Sequence, residues 1–244
     1  MLNFSRRLGG TLVLALAGLL AAEAYAQQAR PITYNAPIQL QSARFNGNVW
    51  SNAQSRHRRD AAEVLVSDNA QRDKGGAAIY VLRKVGDIDD KGEVKFGDKF
   101  EIWSFFTAPG RPDNAGVFED GRILSVVDDK HPQFGVGFNE LVLYNSMAGD
   151  GPISTSFRLA PVESGKTGTV RAGDKFNLIA SVLGKEAPLR VVKGSRYPTG
   201  EWNSVIVGGK PPQDADDPNA AVFTLQVAER NPQNDKGFDA SKKN

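Results

Sequence analysis

The chain contains two similar twelve-residue phrases, E-V-K-F-G-D-K-F-E-I-W-S at 93–104 and T-V-R-A-G-D-K-F-N-L-I-A at 169–180. An internal repeat constrains the fold more than any single motif, because each copy must build the same supersecondary unit. In both copies a Gly-Asp pair and a lysine precede an apolar residue, Phe100 or Phe176. Glycine allows a positive φ and aspartate bonds its own backbone, so Gly-Asp predicts a turn. We therefore expect a turn, then a core strand, and no ligand site in this phrase.

Each phrase opens a series of four short strands, and the series also fits an earlier part of the chain. The first strands alternate apolar and polar residues, which is the pattern of a half-buried strand. The predicted first strands lie at 38–40, 100–102 and 176–178; the second at 49–50, 123–127 and 189–192; the third at 64–66, 141–143 and 205–207; the fourth at 79–82, 157–159 and 222–225. The second-to-third spacings are 16, 17 and 16 residues, so the copies keep register. Only the middle copy carries an insertion, a Gly-, Pro- and Asn-rich loop at 107–120.

Twelve short strands in three four-strand units resemble the β-trefoil, the fold shared by fascins, fibroblast growth factors, ricin-type lectins and Kunitz-type protease inhibitors. The resemblance is to the architecture and matches no specific family. It implies that the first and fourth strands of each copy close a six-stranded barrel, which the second and third strands cap as hairpins. The alternative all-β architecture is a β-sandwich, which is also built from short strands at regular spacing.

The first 26 residues have the pattern of a cleaved signal peptide. Arg6 and Arg7 form a positive n-region, residues 11–22 an apolar core, and Ala24-Tyr25-Ala26 a cleavage site. The apolar run is too short for a membrane span, which needs about 20 strongly apolar residues. We therefore expect bacterial export, cleavage after Ala26, and a protein that resides in the periplasm or outside the cell.

The remaining chain divides into one domain with a polar segment on each side. The predicted boundaries are a signal peptide at 1–26, a polar arm at 27–35, a single β-trefoil domain at 36–229 with copies at 36–92, 93–168 and 169–229, and a disordered tail at 230–244. The chain has no cysteine, so it has neither a disulfide nor a cysteine-linked lipid anchor. An exported domain of this kind must be held together by its hydrophobic core.

Composition argues against nucleic-acid binding and gives little support to catalysis. Beyond residue 26 the chain holds 28 basic and 27 acidic side chains, without the basic excess of a nucleic-acid binder. Two histidines, His57 and His131, no cysteine and no G-x-S-x-G or H-E-x-x-H motif leave few catalytic groups. We expect a protein that is not an enzyme and has no catalytic residues and no cofactor. Both histidines are predicted to lie in loops between second and third strands.

The segment D-I-D-D-K-G-E-V-K-F-G-D at 87–98 approaches a calcium-binding loop without completing one. Asp87, Asp89 and Gly92 match the first, third and sixth positions of such a loop. However, Lys91 would bring an ammonium group to the cation, and Asp98 replaces the bidentate glutamate at position twelve. We therefore expect a solvated turn and no metal site.

Loops between the second and third strands form the best candidate binding surface, because they cap one end of a trefoil. They read S-R-H-R-R-D at 55–60, D-D-K-H-P-Q-F at 128–134 and G-S-R-Y-P-T-G-E-W at 194–202. Arginine clusters pair well with carboxylate, sulfate or phosphate groups, and an aromatic rim can stack on a sugar ring. Trp50 and Trp103 are instead predicted to be core residues. The predicted ligand-binding residues are Arg56, Arg58, Arg59, His131, Arg196, Tyr197 and Trp202.

These features predict an exported, non-enzymatic module that recognises a glycan or an acidic polymer. The alternative is a protein–protein module, either a structural subunit of an envelope assembly or a protease inhibitor that acts through the loop at 107–120. That alternative is motivated by the insertion, since it breaks the threefold symmetry that symmetric sugar sites would keep.

Overall fold

The computed structural model describes residues 30–58, 61–67, 79–104, 122–131, 135–145, 154–182, 185–192, 203–208 and 217–228. These residues form one antiparallel sheet of twelve strands. The strands are β1 (Ile38–Ser42), β2 (Gly47–Arg58), β3 (Ala61–Ser67), β4 (Tyr80–Lys84), β5 (Lys99–Ser104), β6 (Arg122–His131), β7 (Gly135–Asn145), β8 (Phe157–Pro161), β9 (Phe176–Val182), β10 (Lys185–Val192), β11 (Asn203–Gly208) and β12 (Val222–Val227). Each overlaps one of the twelve predicted strands.

The first and fourth strands of the three copies close a six-stranded barrel. Around the barrel the order is β1, β4, β5, β8, β9, β12 and back to β1, with every neighbouring pair hydrogen-bonded. This closed ring is the barrel of a β-trefoil and differs from the two open sheets of a β-sandwich. The all-β, β-trefoil prediction is therefore confirmed, and the β-sandwich alternative is wrong.

Alternating side chains fill the barrel. In β1 every second residue is buried, and Phe100 and Phe176 are fully buried as predicted. The interior leaves a cavity of about 10 Å³, lined by Ile38, Leu40, Leu82, Phe100, Ile102, Leu159, Leu178 and Leu225. Such a space is barely one water in size and is entirely apolar, so the barrel interior is a core and not a ligand site.

One end of the barrel, the hairpin end, is capped by the hairpins β2–β3, β6–β7 and β10–β11. The hairpins are joined through their third strands, since β3 pairs with β7, β7 with β11, and β11 with β3. These pairings give the cap its threefold arrangement.

The opposite end is closed by a plug of three short segments, 31–33, 93–95 and 169–171. The amide of Ile32 donates to the carbonyl of Val170 (2.9 Å), that of Val170 to Val94 (2.8 Å), and that of Val94 to Ile32 (2.9 Å). All three side chains are fully buried. The plug therefore takes the three segments that lead into the first strands β1, β5 and β9, and joins them in a cycle of backbone hydrogen bonds.

The segment at 31–42, P-I-T-Y-N-A-P-I-Q-L-Q-S, is the structural equivalent of the two repeated phrases. Asn35 stands where the other copies have Gly97 and Gly173, and all three have a positive φ, of 59°, 89° and 84°. Ile32 and Tyr34 are buried in the main core. The polar arm predicted at 27–35 therefore does not stand apart from the domain at residues 31–35. Asparagine tolerates the left-handed conformation, which allows it to replace the glycine.

Both Gly-Asp turns form as predicted. A carboxylate oxygen of Asp98 accepts the amide of Lys95 at 3.1 Å, and one of Asp174 accepts the amide of Arg171 at 2.8 Å. Asp98 also accepts the hydroxyl of Tyr34 at 2.9 Å. The aspartates of the repeat therefore hold the turns that lead into β5 and β9.

Candidate functional site

The hairpin end carries the backbone of three of the seven predicted binding residues. Arg56 and Arg58 lie on β2, and His131 is the last residue of β6. The structure describes the backbone alone at these positions. The other predicted binding residues, which lie outside the described residues, are Arg59, Arg196, Tyr197 and Trp202. Together the seven residues remain a prediction.

The prediction that both histidines lie in loops is wrong, because His57 belongs to β2 and His131 to β6. The β2–β3 ladder continues as far as the pair Arg58↔Ala61, and the β6–β7 ladder as far as His131↔Gly135. Register shifts in both hairpins mark bulges that allow the ladders to continue. Backbone pairing between two strands does not need an apolar face, so these polar runs form strands.

The three hairpins are arranged as a pinwheel. Ala61, at the tip of the first hairpin, pairs with Tyr144 at the base of the second. Phe138, towards the tip of the second, pairs with Gly208 at the base of the third. Asn203, at the tip of the third, pairs with Val66 at the base of the first. Within the described residues each tip therefore adjoins the base of the next hairpin, and no two tips pair with each other.

The outer surface of the barrel has three equivalent seams, β4–β5, β8–β9 and β12–β1, where one copy meets the next. At each seam the register places four outward positions in two cross-strand pairs. The pairs are Arg83↔Glu101 and Val81↔Trp103 at the β4–β5 seam, Ala160↔Asn177 and Arg158↔Ile179 at the β8–β9 seam, and Gln226↔Gln39 and Thr224↔Gln41 at the β12–β1 seam. The three seams therefore have the same backbone geometry but carry different side chains at their outward positions.

At the β4–β5 seam, Trp103 contacts both charged side chains, Arg83 and Glu101. The guanidinium of Arg83 lies over the indole ring of Trp103, 4.6 Å from its centroid. The indole Nε1 donates to Glu101 at 2.9 Å, and the Thr155 hydroxyl donates to the other oxygen of that carboxylate at 3.4 Å. Burial lowers the pKa of Arg83, while the neighbouring Glu101 acts in the opposite direction.

Trp103 was predicted to be a core residue, but its side chain does not belong to the barrel core. Its ring is half-buried on the outer face, where it packs against Ile79 and Val81. Because Phe100 and Ile102 point into the barrel, Trp103 must point outward with Glu101. The side chain of Trp50, the other tryptophan predicted to be core, lies outside the described part of the structure.

The polar side chains of the β8–β9 seam also have partners within the protein. Arg158 forms a two-point ion pair with Glu186 of β10, in which its Nε donates at 2.9 Å. This hydrogen bonding raises the pKa of Arg158 and lowers the pKa of Glu186. The Asn177 amide donates to the carbonyl of Ala221 at 2.7 Å. Sequence reasoning missed these seam residues, because only the strand register brings them together.

The β12–β1 seam carries three amides and one hydroxyl, from Gln39, Gln41, Gln226 and Thr224. All four side chains are half-buried and lie on the outer face, since the residues between them fill the barrel. This is the one seam of the three without a charged residue among its four outward positions.

The acidic segment 87–98 forms a hydrogen-bonded turn. Asp90 accepts the ammonium of Lys84 and the amide of Gly92, each at 2.6 Å, and the bond with Lys84 is the main cause that lowers the pKa of Asp90. The Asn35 amide donates to the carbonyls of Ile88 and Asp90, each at 2.8 Å. Within the described residues no three groups of metal-binding type cluster.

No protein-family model matches the chain. No curated protein matches its sequence either. No helix in the described part of the chain is long and apolar enough to cross a membrane.

The chain is similar to solved structures at the level of the fold. The SDF2-like protein from Arabidopsis thaliana is 12% identical, with a TM-score of 0.54 over 80% of this chain and 94% of that protein. The S. cerevisiae protein O-mannosyltransferase Pmt1-Pmt2 complex is 11% identical, with a TM-score of 0.57 over 82% of this chain and 26% of that chain. The ligand-binding domain of botulinum neurotoxin serotype D, solved with N-acetylneuraminic acid, is 8% identical, with a TM-score of 0.52 over 86% of this chain and 47% of that one. At these identities the likeness is one of architecture, and the chain is a β-trefoil protein.

Proposed function

We propose that this protein is an exported, non-enzymatic binding module that recognises a glycan or an acidic polymer at its hairpin end. The observation that carries the proposal is the length of the β2–β3 hairpin, whose ladder runs to Arg58 and so places two arginines near the tip of a cap hairpin. The closed barrel beneath provides a rigid scaffold for that hairpin. The fold-level likeness to a neurotoxin domain solved with N-acetylneuraminic acid supports the class of binding module.

Arg56 and Arg58 suit an anionic ligand for a chemical reason. Guanidinium groups donate paired hydrogen bonds to carboxylate, sulfate and phosphate, and these bonds are stronger than those between neutral groups. A scarcity of histidine and an absence of cysteine support a binding role over a catalytic one. The alternative role of the loop at 107–120 in a protein complex stays a hypothesis, because that loop lies outside the described residues.

The proposal is tested by titrating the mature protein with heparin, polygalacturonate and sialyllactose. Replacing Arg56 and Arg58 together by Ala should weaken binding about tenfold or more, because two charge-assisted contacts are lost. Binding should also weaken between about 50 mM and about 300 mM salt, since salt screens exposed charges.

A matched control removes two arginines from the opposite end of the barrel. Arg30→Ala with Arg171→Ala changes the net charge equally, and both residues are exposed near the plug. This control should bind as the wild type does. Equal losses in both double variants would show that net charge alone drives binding, and unchanged binding in the Arg56/Arg58 variant would place the ligand elsewhere.

A further inference from the structure

The β12–β1 seam differs from its two equivalents in the partners of its polar side chains. Within the described part of the chain, no hydrogen bond or ion pair involves the side chains of Gln39, Gln41, Thr224 or Gln226. The equivalent positions elsewhere are used by Arg83, Glu101 and Trp103, or by Arg158 with Glu186. Threefold symmetry therefore supplies two internal comparisons in which side chains at the equivalent positions make contacts within the protein.

The four side chains form a compact set. Directly opposed residues in an antiparallel pair have Cβ atoms about 5 Å apart, and residues two apart along a strand lie about 6.7 Å apart. Gln39 faces Gln226, and Gln41 faces Thr224, so the set occupies two successive outward-facing rungs of the ladder, with the inward-facing pair Leu40↔Leu225 between them. All four are half-buried between neighbouring strands, which limits the entropy that they would lose on binding a ligand.

The chemistry of this set matches hydroxyl groups. Each glutamine offers two N–H donors and one carbonyl acceptor, and threonine both donates and accepts. A sugar hydroxyl also donates and accepts hydrogen bonds, so several sugar hydroxyls can bond to the glutamine amides and to the threonine hydroxyl at the same time. The set contains no cation for an acidic polymer and no carboxylate for a basic one.

We propose that the β12–β1 seam binds a neutral glycan chain through hydrogen bonds from Gln39, Gln41, Thr224 and Gln226. This inference rests on the proposed glycan-binding function and adds a second face that reads uncharged sugars. Binding here should be nearly independent of salt, because no charged pair is formed. That property separates the seam from the arginine-bearing hairpin.

The test uses a panel of neutral hexasaccharides, namely maltohexaose, cellohexaose, mannohexaose and N-acetylchitohexaose, titrated into the mature protein by calorimetry. At least one should bind, equally well at about 50 mM and about 300 mM salt. Gln39→Glu keeps the shape of the side chain but removes its amide donors, and should weaken binding about tenfold. Glu101 occupies the equivalent position of β5, so the fold accommodates a glutamate there.

Two further double variants complete the test, one that removes more of the seam and one that serves as a control at another seam. Gln39→Ala with Gln226→Ala removes one complete rung and should abolish measurable binding. Arg158→Ala with Glu186→Ala removes the ion pair of the β8–β9 seam without a change of net charge, and should bind as the wild type does. Circular dichroism and melting temperature establish that each variant is folded.

The outcomes separate this inference from the proposed function. Failure of all four neutral sugars, with acidic polymers still bound, would overturn the seam and leave the hairpin end standing. Neutral binding that is lost on replacing Arg56 and Arg58, but not on replacing the glutamines, would also overturn it. Failure of both neutral and acidic ligands would remove the two proposals together.

Discussion

At the scale of single residues, the three copies can be compared at one buried position near the hairpin end of the barrel. Ser42, Ser104 and Ala180 are equivalent there, and each is at most 1% exposed. Among the described residues the Ser42 hydroxyl has no hydrogen-bond partner. A buried hydroxyl without a hydrogen bond costs free energy, because it has lost its bonds to water. Ala180 shows that a methyl group fits the same environment.

We therefore expect Ser42→Ala to raise the free energy of unfolding by about 1 kcal/mol, the usual scale for an unsatisfied buried polar group. Urea denaturation monitored by circular dichroism measures this change. Ser104→Ala is the matched control, and it should lower stability because Ser104 does have an interaction partner. A Ser42→Ala protein that is less stable than the wild type would contradict the argument.

At the scale of elements, the plug depends on a segment of only a few residues. Ile32 is fully buried, and its amide and carbonyl each take part in the plug cycle. Tyr34 adds a buried ring and a backbone hydrogen bond to Gly92 at 3.0 Å. The segment at 31–34 therefore has the energetic role of a core strand, although it is shorter than any strand of the barrel.

Ile32→Ala should lower the free energy of unfolding by about 2–5 kcal/mol, the range for deleting a buried isoleucine side chain. Thr33→Ala, which alters the half-buried neighbour of Ile32, should change it by less than about 1 kcal/mol. Chemical denaturation of the two variants beside the wild type makes the comparison. Similar small losses in both would mean that the segment contributes little to the core.

The elements also show how far sequence reasoning reaches. All twelve strands were predictable, because short apolar runs at repeated spacing, with apolar-polar alternation in the first strand of each copy, are a local signal. The third plug segment was missed, since Asn35 and Ala36 replace the Gly-Asp pair that marks the other two copies. The polar strand ends at Arg58 and His131 were mistaken for loops, because backbone pairing leaves no apolar pattern. The side-chain contacts at the seams could not be predicted from the sequence, because they depend on the strand register.

At the scale of the whole molecule, the three copies depend on one another at every level. Each barrel seam joins two copies, the hairpin end links all three third strands, and the plug closes a cycle of backbone bonds through all three. An isolated copy would leave unpaired strand edges at its seams, and such edges favour aggregation. The repeat is therefore a feature of the sequence and not a division into independent units.

This mutual dependence predicts a single cooperative unfolding transition. In calorimetry the measured enthalpy should equal the van't Hoff enthalpy, as for a two-state domain. A reductant should leave the transition unchanged, because the chain has no cysteine. Ile32→Ala should move the whole transition to lower temperature without splitting it, since the plug belongs to all three copies. A second transition in that variant, with part of the strand signal retained, would show that one copy can unfold alone and that the barrel is less continuous than its hydrogen bonding indicates.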